Sequence, residues 1–261
     1  MSWISRFKQP QCHSLTLYCF AHAGAGASTF LPISKLAPPW MDIAPIQLPG
    51  REGRRTEPPE SSLESAARAA ATAIAADAER PFALFGHSLG GRLAARVAQI
   101  LGNDAALWPN DADGAAEAGP APDHLFISAT TPTYRAAPIS HLDDAAFTEA
   151  VRARFTGTPT AIFDTPGVWD IYRPTLRADL GLLETAPDFT GALPCPVTLI
   201  GGRQDATAPA ARLSDWGPHA TAGSTTCLLD VDHFALRSHA QAYLDLIGEA
   251  LGPAAARKQG S

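Results

Sequence analysis

Three residues able to form an acyl-transfer centre stand far apart in this chain of 261 residues: Ser88 in GHSLG (86–90), Asp205 in PVTLIGGRQDATAP and His233 in CLLDVDHFALRSH. A serine hydroxyl attacks a carbonyl effectively only when an adjacent imidazole takes its proton and an acid holds that imidazole. The G-x-S-x-G pattern alone is common, arising by chance in about one chain in ten of this length. Its setting says more. Phe82 to Phe85 reads as a short buried strand, and Leu89, Leu93, Ala94 and Val97 recur at helical spacing behind the serine. Strand, tight turn and helix make a nucleophile elbow, in which a strained turn lifts the hydroxyl above a sheet and flanking glycines avoid collisions.

The same chemistry needs two backbone N–H groups aimed at a developing oxyanion. Leu89, directly after the serine, supplies one. YCFAHAGAGAS (18–28) leaves an apolar strand as a loop of small residues, and Ala23 is the expected second donor. The loop does not read as a phosphate cradle, because the chain has no G-K-[ST] and no G-x-G-x-x-G with a placed acidic residue. Other candidates read differently. His87 is expected to face away from Ser88 as a packed or hydrogen-bonded support, and His239 to cap or lie on the last helix. Asp230 and Asp232 flank His233 too closely to orient it without strain, which leaves Asp179 as the remaining rival to Asp205.

Elements that could position these groups follow from the apolar patterning. Strand-like runs lie at Leu15–Phe20, Asp42–Gln47, Phe82–Phe85, Leu125–Ser128, Val197–Ile200 and Thr226–Val231. Helical spacing covers Ser62–Arg80, Gly91–Leu101, Pro209–Trp216 and His239–Leu251, with Ser61 or Ser62 as the cap of the first. Such alternation predicts an α/β fold, a mostly parallel sheet flanked by helices. Two segments break the rhythm. Residues 102–123 are rich in Gly, Pro, Asp and Ala and read as a flexible loop extension. Residues 132–190 lack strand signals and carry helical spacing, as expected of a helical lid inserted in the sheet. The expected organisation is a core at 1–131, the lid at 132–190, a second part of the core at 191–252 and a disordered tail at 253–261.

An apolar fraction of 46% and a charged fraction of 18% suit a domain with a real core, and a net charge of −6 argues against a nucleic-acid partner. Cys12, Cys19, Cys195 and Cys227 have no metal-ligand or C-x-x-C spacing and read as free thiols. No H-E-x-x-H or ligand cluster suggests a metal, and no apolar run is long enough to span a membrane. LTLYCFAHA after Arg6 and Lys8 mimics a signal core, but Gln9, Pro10, Gln11 and His13 interrupt its approach. The expected location is the cytoplasm, and the expected state is a monomer.

Four motifs now stand in order: FAHAGAGAS, LPGREGRR, GHSLGG and DHFAL, with RADLGLLETAP in the inserted region. Together they make the chain resemble the type II thioesterases, discrete α/β-hydrolases that accompany polyketide synthases and nonribosomal peptide synthetases. The resemblance implies hydrolysis of acyl groups from the phosphopantetheine thiol of acyl or peptidyl carrier proteins, with no cofactor in the enzyme. It implies Ser88 as nucleophile, His233 as general base and acid, Asp205 as its orienter, and Ala23 and Leu89 as oxyanion donors. Arg51, Arg54 and Arg55 are the expected contacts to a carrier's phosphate or acidic helix. The chain departs from the family pattern at Ala21 and Ala25 in the first loop and at Val231 and Asp232 before the last histidine. Alternatives on the same fold are a small-molecule carboxylesterase, a product-releasing thioesterase, a cofactor-free haloperoxidase, and a catalytically silent binding module.

Overall fold

A computed structural model describes residues 2–7, 13–79, 81–108, 119–155, 157–158 and 160–257. Six strands form one sheet: β1 (Leu15–Phe20), β2 (Met41–Pro45), β3 (Phe82–His87), β4 (His124–Ser128), β5 (Val197–Gly202) and β6 (Ser224–Leu229). Their order is β2-β1-β3-β4-β5-β6, and every neighbouring pair is parallel. Chain order reverses between β1 and β3, so the loops leaving these two strands flank a crevice at the carboxyl edge. In open parallel sheets that is where ligands bind.

Period-two alternation assigns each strand's side chains to two cores. Tyr18 and Phe20 of β1 and Phe82 and Leu84 of β3 face one core with α2 (Leu63–Asp77) and α3 (Leu89–Asn103). Leu15, Leu17 and Cys19 of β1 and Ala83 and Phe85 of β3 face the other, with α1 (Leu31–Leu36) and α7 (Ala240–Arg257). The central strands are buried on both faces, which explains their unbroken apolar runs. Ser62 caps α2 in a reciprocal box with Ser65, each side chain taking the other's backbone N–H.

Between β4 and β5 the chain inserts α4 (Asp144–Arg154), α5 (Ala161–Asp164) and α6 (Val168–Thr185). Phe147 and Val151 of α4 and Leu176, Leu180 and Leu183 of α6 bury into the first core. The helix expected over Pro209–Trp216 is a 3-10 helix at Ala210–Trp216. Helix α7 runs to Arg257, past the end expected at Leu251 and into the expected tail. Of the loop extension expected at 102–123, residues 109–118 lie outside the described residues, as do 258–261 of the expected tail and Cys12. Cys19, Cys195 and Cys227 are free thiols. Among the described residues no helix is long and apolar enough to cross a membrane, and no group of three His, Cys, Asp or Glu side chains could hold a metal.

Candidate active site

Strand β3 ends at His87 and helix α3 begins at Leu89, so Ser88 alone makes the turn, with φ 58° and ψ −119°. Positive φ costs a residue with a Cβ, and the tight packing around the turn holds it there. A Cβ on Gly86 would lie 2.1 Å from the Gly90 carbonyl oxygen, and one on Gly90 would lie 2.1 Å from that of Phe20. These contacts are to backbone, so both positions require glycine.

Ser88 lies 3.1 Å from His233 through Oγ and Nε2, and His233 Nδ1 lies 2.7 Å from Asp205 Oδ2. The acid fixes the tautomer: Nδ1–H donates to the carboxylate, which leaves Nε2 to accept the serine proton. Asp205 is held in turn, because its Oδ1 accepts the N–H groups of Thr207 and Ala208, each at 2.8 Å. His233 hangs from the loop after β6, and its own carbonyl accepts from His87 Nε2 at 2.7 Å. His87 is therefore the Nε2–H tautomer, with Nδ1 accepting from the Ser128 hydroxyl at 2.9 Å. Burial pushes the pKa of His87 down to about 4, so the support is neutral.

Leu89 is the first residue of α3, so its N–H has no intrahelical acceptor. Neither that N–H nor the N–H of Ala23 is taken by another described residue. Ala23 lies in the loop after β1 and Leu89 at the start of α3 after β3, the two connections that flank the crevice. His22, which residue-by-residue reading passed over, lines the same cavity, packs edge-on against His87 and Phe234, and has its pKa pushed down to about 3 by burial. Its Nδ1 is buried without a partner among the described residues. The cavity holds about 250 Å³ above Ser88 and is walled by Val151, Phe155, Leu176, Leu180 and Leu183 of the inserted region.

The rival residues are engaged elsewhere. Asp230 pairs with Arg203 on the surface, Asp232 accepts from the Phe234 N–H, and His239 meets Ser238. Asp179 forms a two-pronged ion pair with Arg51 at 2.6 and 2.7 Å, with the two side chains 1% and 6% exposed. Two of the expected carrier contacts are taken up within the protein. Arg51 is buried against Asp179, and Arg54 is buried against Glu57, the Gln47 carbonyl and the ring of Trp3, so neither guanidinium is free to meet an external phosphate. Arg55 is the exposed member of the trio.

A family profile described as "Thioesterase domain" matches residues 15–251. The chain belongs to the thioesterase family. It is 32% identical over 224 residues to "Thioesterase PikA5" of Streptomyces venezuelae, covering 83% of this chain and 74% of that protein. It is 31% identical over 256 residues to "Linear gramicidin dehydrogenase LgrE" of Brevibacillus parabrevis, covering 95% and 92%. Among solved structures, the RedJ thioesterase of the prodiginine pathway in Streptomyces coelicolor superimposes with a TM-score of 0.77 at 31% identity, covering 92% of this chain and 87% of that one. The thioesterase fold explains why three residues distant in sequence meet: each follows a parallel strand, past its carboxyl end, at the same sheet edge.

Proposed function

We propose that this thioesterase clears acyl groups from the phosphopantetheine thiol of acyl or peptidyl carrier proteins in polyketide or nonribosomal peptide assembly. The observation that carries the mechanism is the hydrogen-bonded line Asp205, His233, Ser88 at the floor of an apolar cavity. In this reading Ser88 Oγ attacks the thioester carbonyl and passes its proton to His233 Nε2. The N–H groups of Ala23 and Leu89 bind the oxyanion, the C–S bond breaks, and His233 protonates the leaving thiolate. Water then attacks the acyl-serine with His233 as base, returning the free hydroxyl and releasing the acid. Asp205 keeps the imidazole oriented throughout. No step draws on a cofactor, since the phosphopantetheine belongs to the substrate.

The relatives support a biosynthetic role, since their names tie them to natural-product pathways: the RedJ thioesterase to prodiginine and "Gramicidin S biosynthesis protein GrsT" to gramicidin S. The cavity, about 250 Å³, lies below the roughly 300–1,000 Å³ of drug-sized pockets, which favours short acyl groups. The dehydrogenase name of one relative is not carried over, because this chain has no dinucleotide fingerprint in its first glycine-rich loop. The protein acts as a cytoplasmic monomer, with Arg55 on its carrier-facing surface and the helices α4 to α6 as its lid. The test is the mass of carriers loaded with acetyl, propionyl and longer acyl groups, incubated with the wild type and with Ser88→Ala. Loss of the acyl mass with the wild type alone supports the reading. Cleavage of free esters with loaded carriers left intact would replace it with an ordinary esterase.

A further inference from the structure

Helix α6 grips the loop that carries the expected oxyanion donor. Asp179 Oδ2 accepts the Gly24 N–H at 2.7 Å, and the hydroxyl of Tyr172 donates to the Ala23 carbonyl at 3.3 Å. These two bonds hold both ends of the peptide group joining Ala23 to Gly24. The preceding peptide group, which contains the Ala23 N–H, is held through its carbonyl: His22 O accepts the Ala25 N–H at 3.1 Å. The Ala25 carbonyl accepts from Arg51 Nη1 at 3.1 Å, and the same guanidinium is bidentate to Asp179. A Cβ on Gly24 would lie 2.4 Å from the Tyr172 hydroxyl, so the loop and the helix fit only with glycine at this position, where φ is +79°.

We propose that the Arg51–Asp179 ion pair, with Tyr172, positions the Ala23 N–H for the oxyanion, so that one oxyanion donor is correctly aimed only while α6 is seated on the sheet edge. The inference rests on the Ser88 mechanism above. A buried ion pair adds little net stability compared with an apolar pair of similar size. This one does something an apolar pair does not: its two charged groups together engage a backbone N–H and a backbone C=O on the residues that follow Ala23. Arg51 and Asp179 touch no reacting atom and are positioning residues. Their location couples the inserted helices to the chemistry, because Arg51 follows β2 whereas Asp179 and Tyr172 belong to α6. Thr175 of α6 adds a bond from its hydroxyl to the Gly50 carbonyl at 3.0 Å, beside Arg51.

The test uses the acetyl thioester of N-acetylcysteamine, which needs no carrier docking, and a trifluoromethyl ketone that Ser88 would convert to an oxyanion adduct. Removing one member of the pair strands the other as a buried charge, so the informative variant is the double Arg51→Met, Asp179→Leu, with Tyr172→Phe as a milder companion. For a folded double variant we expect kcat to fall by about 10- to 100-fold with KM changed by less than about threefold. Ketone affinity should fall by the same factor as kcat/KM. Tyr172→Phe should lose several-fold in kcat with the same split. A folded double variant with unchanged kcat and ketone affinity overturns the inference; should the double variant not fold, unchanged kcat in Tyr172→Phe does so. Ser88→Ala separates the two levels: if it keeps activity, the catalytic reading fails, and if it is inert while these variants stay fast, only the positioning inference fails.

Discussion

Arg92 sits one turn into α3, is 3% exposed, and donates once, from Nη2 to the Pro187 carbonyl at 2.6 Å. Its Nε and Nη1 are buried without partners among the described residues. The carboxylate that acts on its charge, Asp188, is already bidentate to Arg135. Burial pushes the pKa of Arg92 down, a sign that its charge is poorly compensated. Arg92→Met should therefore stabilise the protein. It removes a buried charge with unpaired donors, keeps most of the side-chain volume, and gives up one hydrogen bond to a carbonyl. Replacing buried ionic groups with apolar ones of similar size has raised stability by about 1–4 kcal/mol. Allowing for the lost bond, the expected gain is about 1–3 kcal/mol, or roughly 3–10 °C in Tm for a domain of this size. Urea unfolding should show a higher midpoint at an unchanged slope. Arg92→Lys, which keeps a charge, should show no gain. A loss of stability in Arg92→Met would refute the reasoning and mean that solvent satisfies those donors through the adjoining cavity of about 280 Å³, lined by Ser62, Arg96 and Phe189.

Three further outcomes follow from the geometry. Asp205→Asn should lower kcat by about 10⁴-fold with the fold retained, since the Thr207 and Ala208 N–H groups still find an acceptor, while Asp232→Asn stays near wild type; steady-state kinetics with circular dichroism check both. Gly90→Ala forces a Cβ onto the Phe20 carbonyl at 2.1 Å and should destabilise by about 3 kcal/mol or more, read from urea midpoints. Acid should also destabilise the fold through His87, whose folded pKa of about 4 lies below the ordinary 6.5. As pH falls below 6.5 the unfolded chain takes up a proton that the folded one refuses, so the His87 contribution to stability drops by about 3 kcal/mol by the time pH reaches 4. Burial pushes His22 and His124 down as well, to about 3 and about 4, so they add to the slope of urea midpoints between pH 7.5 and 4; His87→Asn should make that slope shallower without abolishing it, and an unchanged slope would contradict the His87 share.

The strands were legible because both faces of a parallel sheet are apolar: β1 occupies the expected residues, and β3 and β5 only run on into the glycines and histidine that end them. The edge strand was less so. The apolar run pointed to Thr226–Val231, whereas pairing of Val197 with Ser224 and of Gly202 with Leu229 places β6 two residues earlier, on a mostly exposed edge. The candidate triad was legible because Ser88, Asp205 and His233 stand just past apolar strand ends, with Ser88 bracketed by Gly86 and Gly90. Arg51 was not, since arginine is usually exposed and its partner lies 128 residues away on an inserted helix. His22 was not legible, because nothing local marks a histidine whose surroundings are assembled from β3 and the loop after β6.

The most direct test of the central claim is rapid-quench mass spectrometry of the wild-type protein mixed with an acetyl-loaded carrier. The account predicts a transient acetyl mass on the peptide containing Ser88, formed as the carrier loses its acyl group and decaying as acetate appears. Carrier deacylation at full rate in Ser88→Ala, with no acyl mass on any peptide, would contradict it.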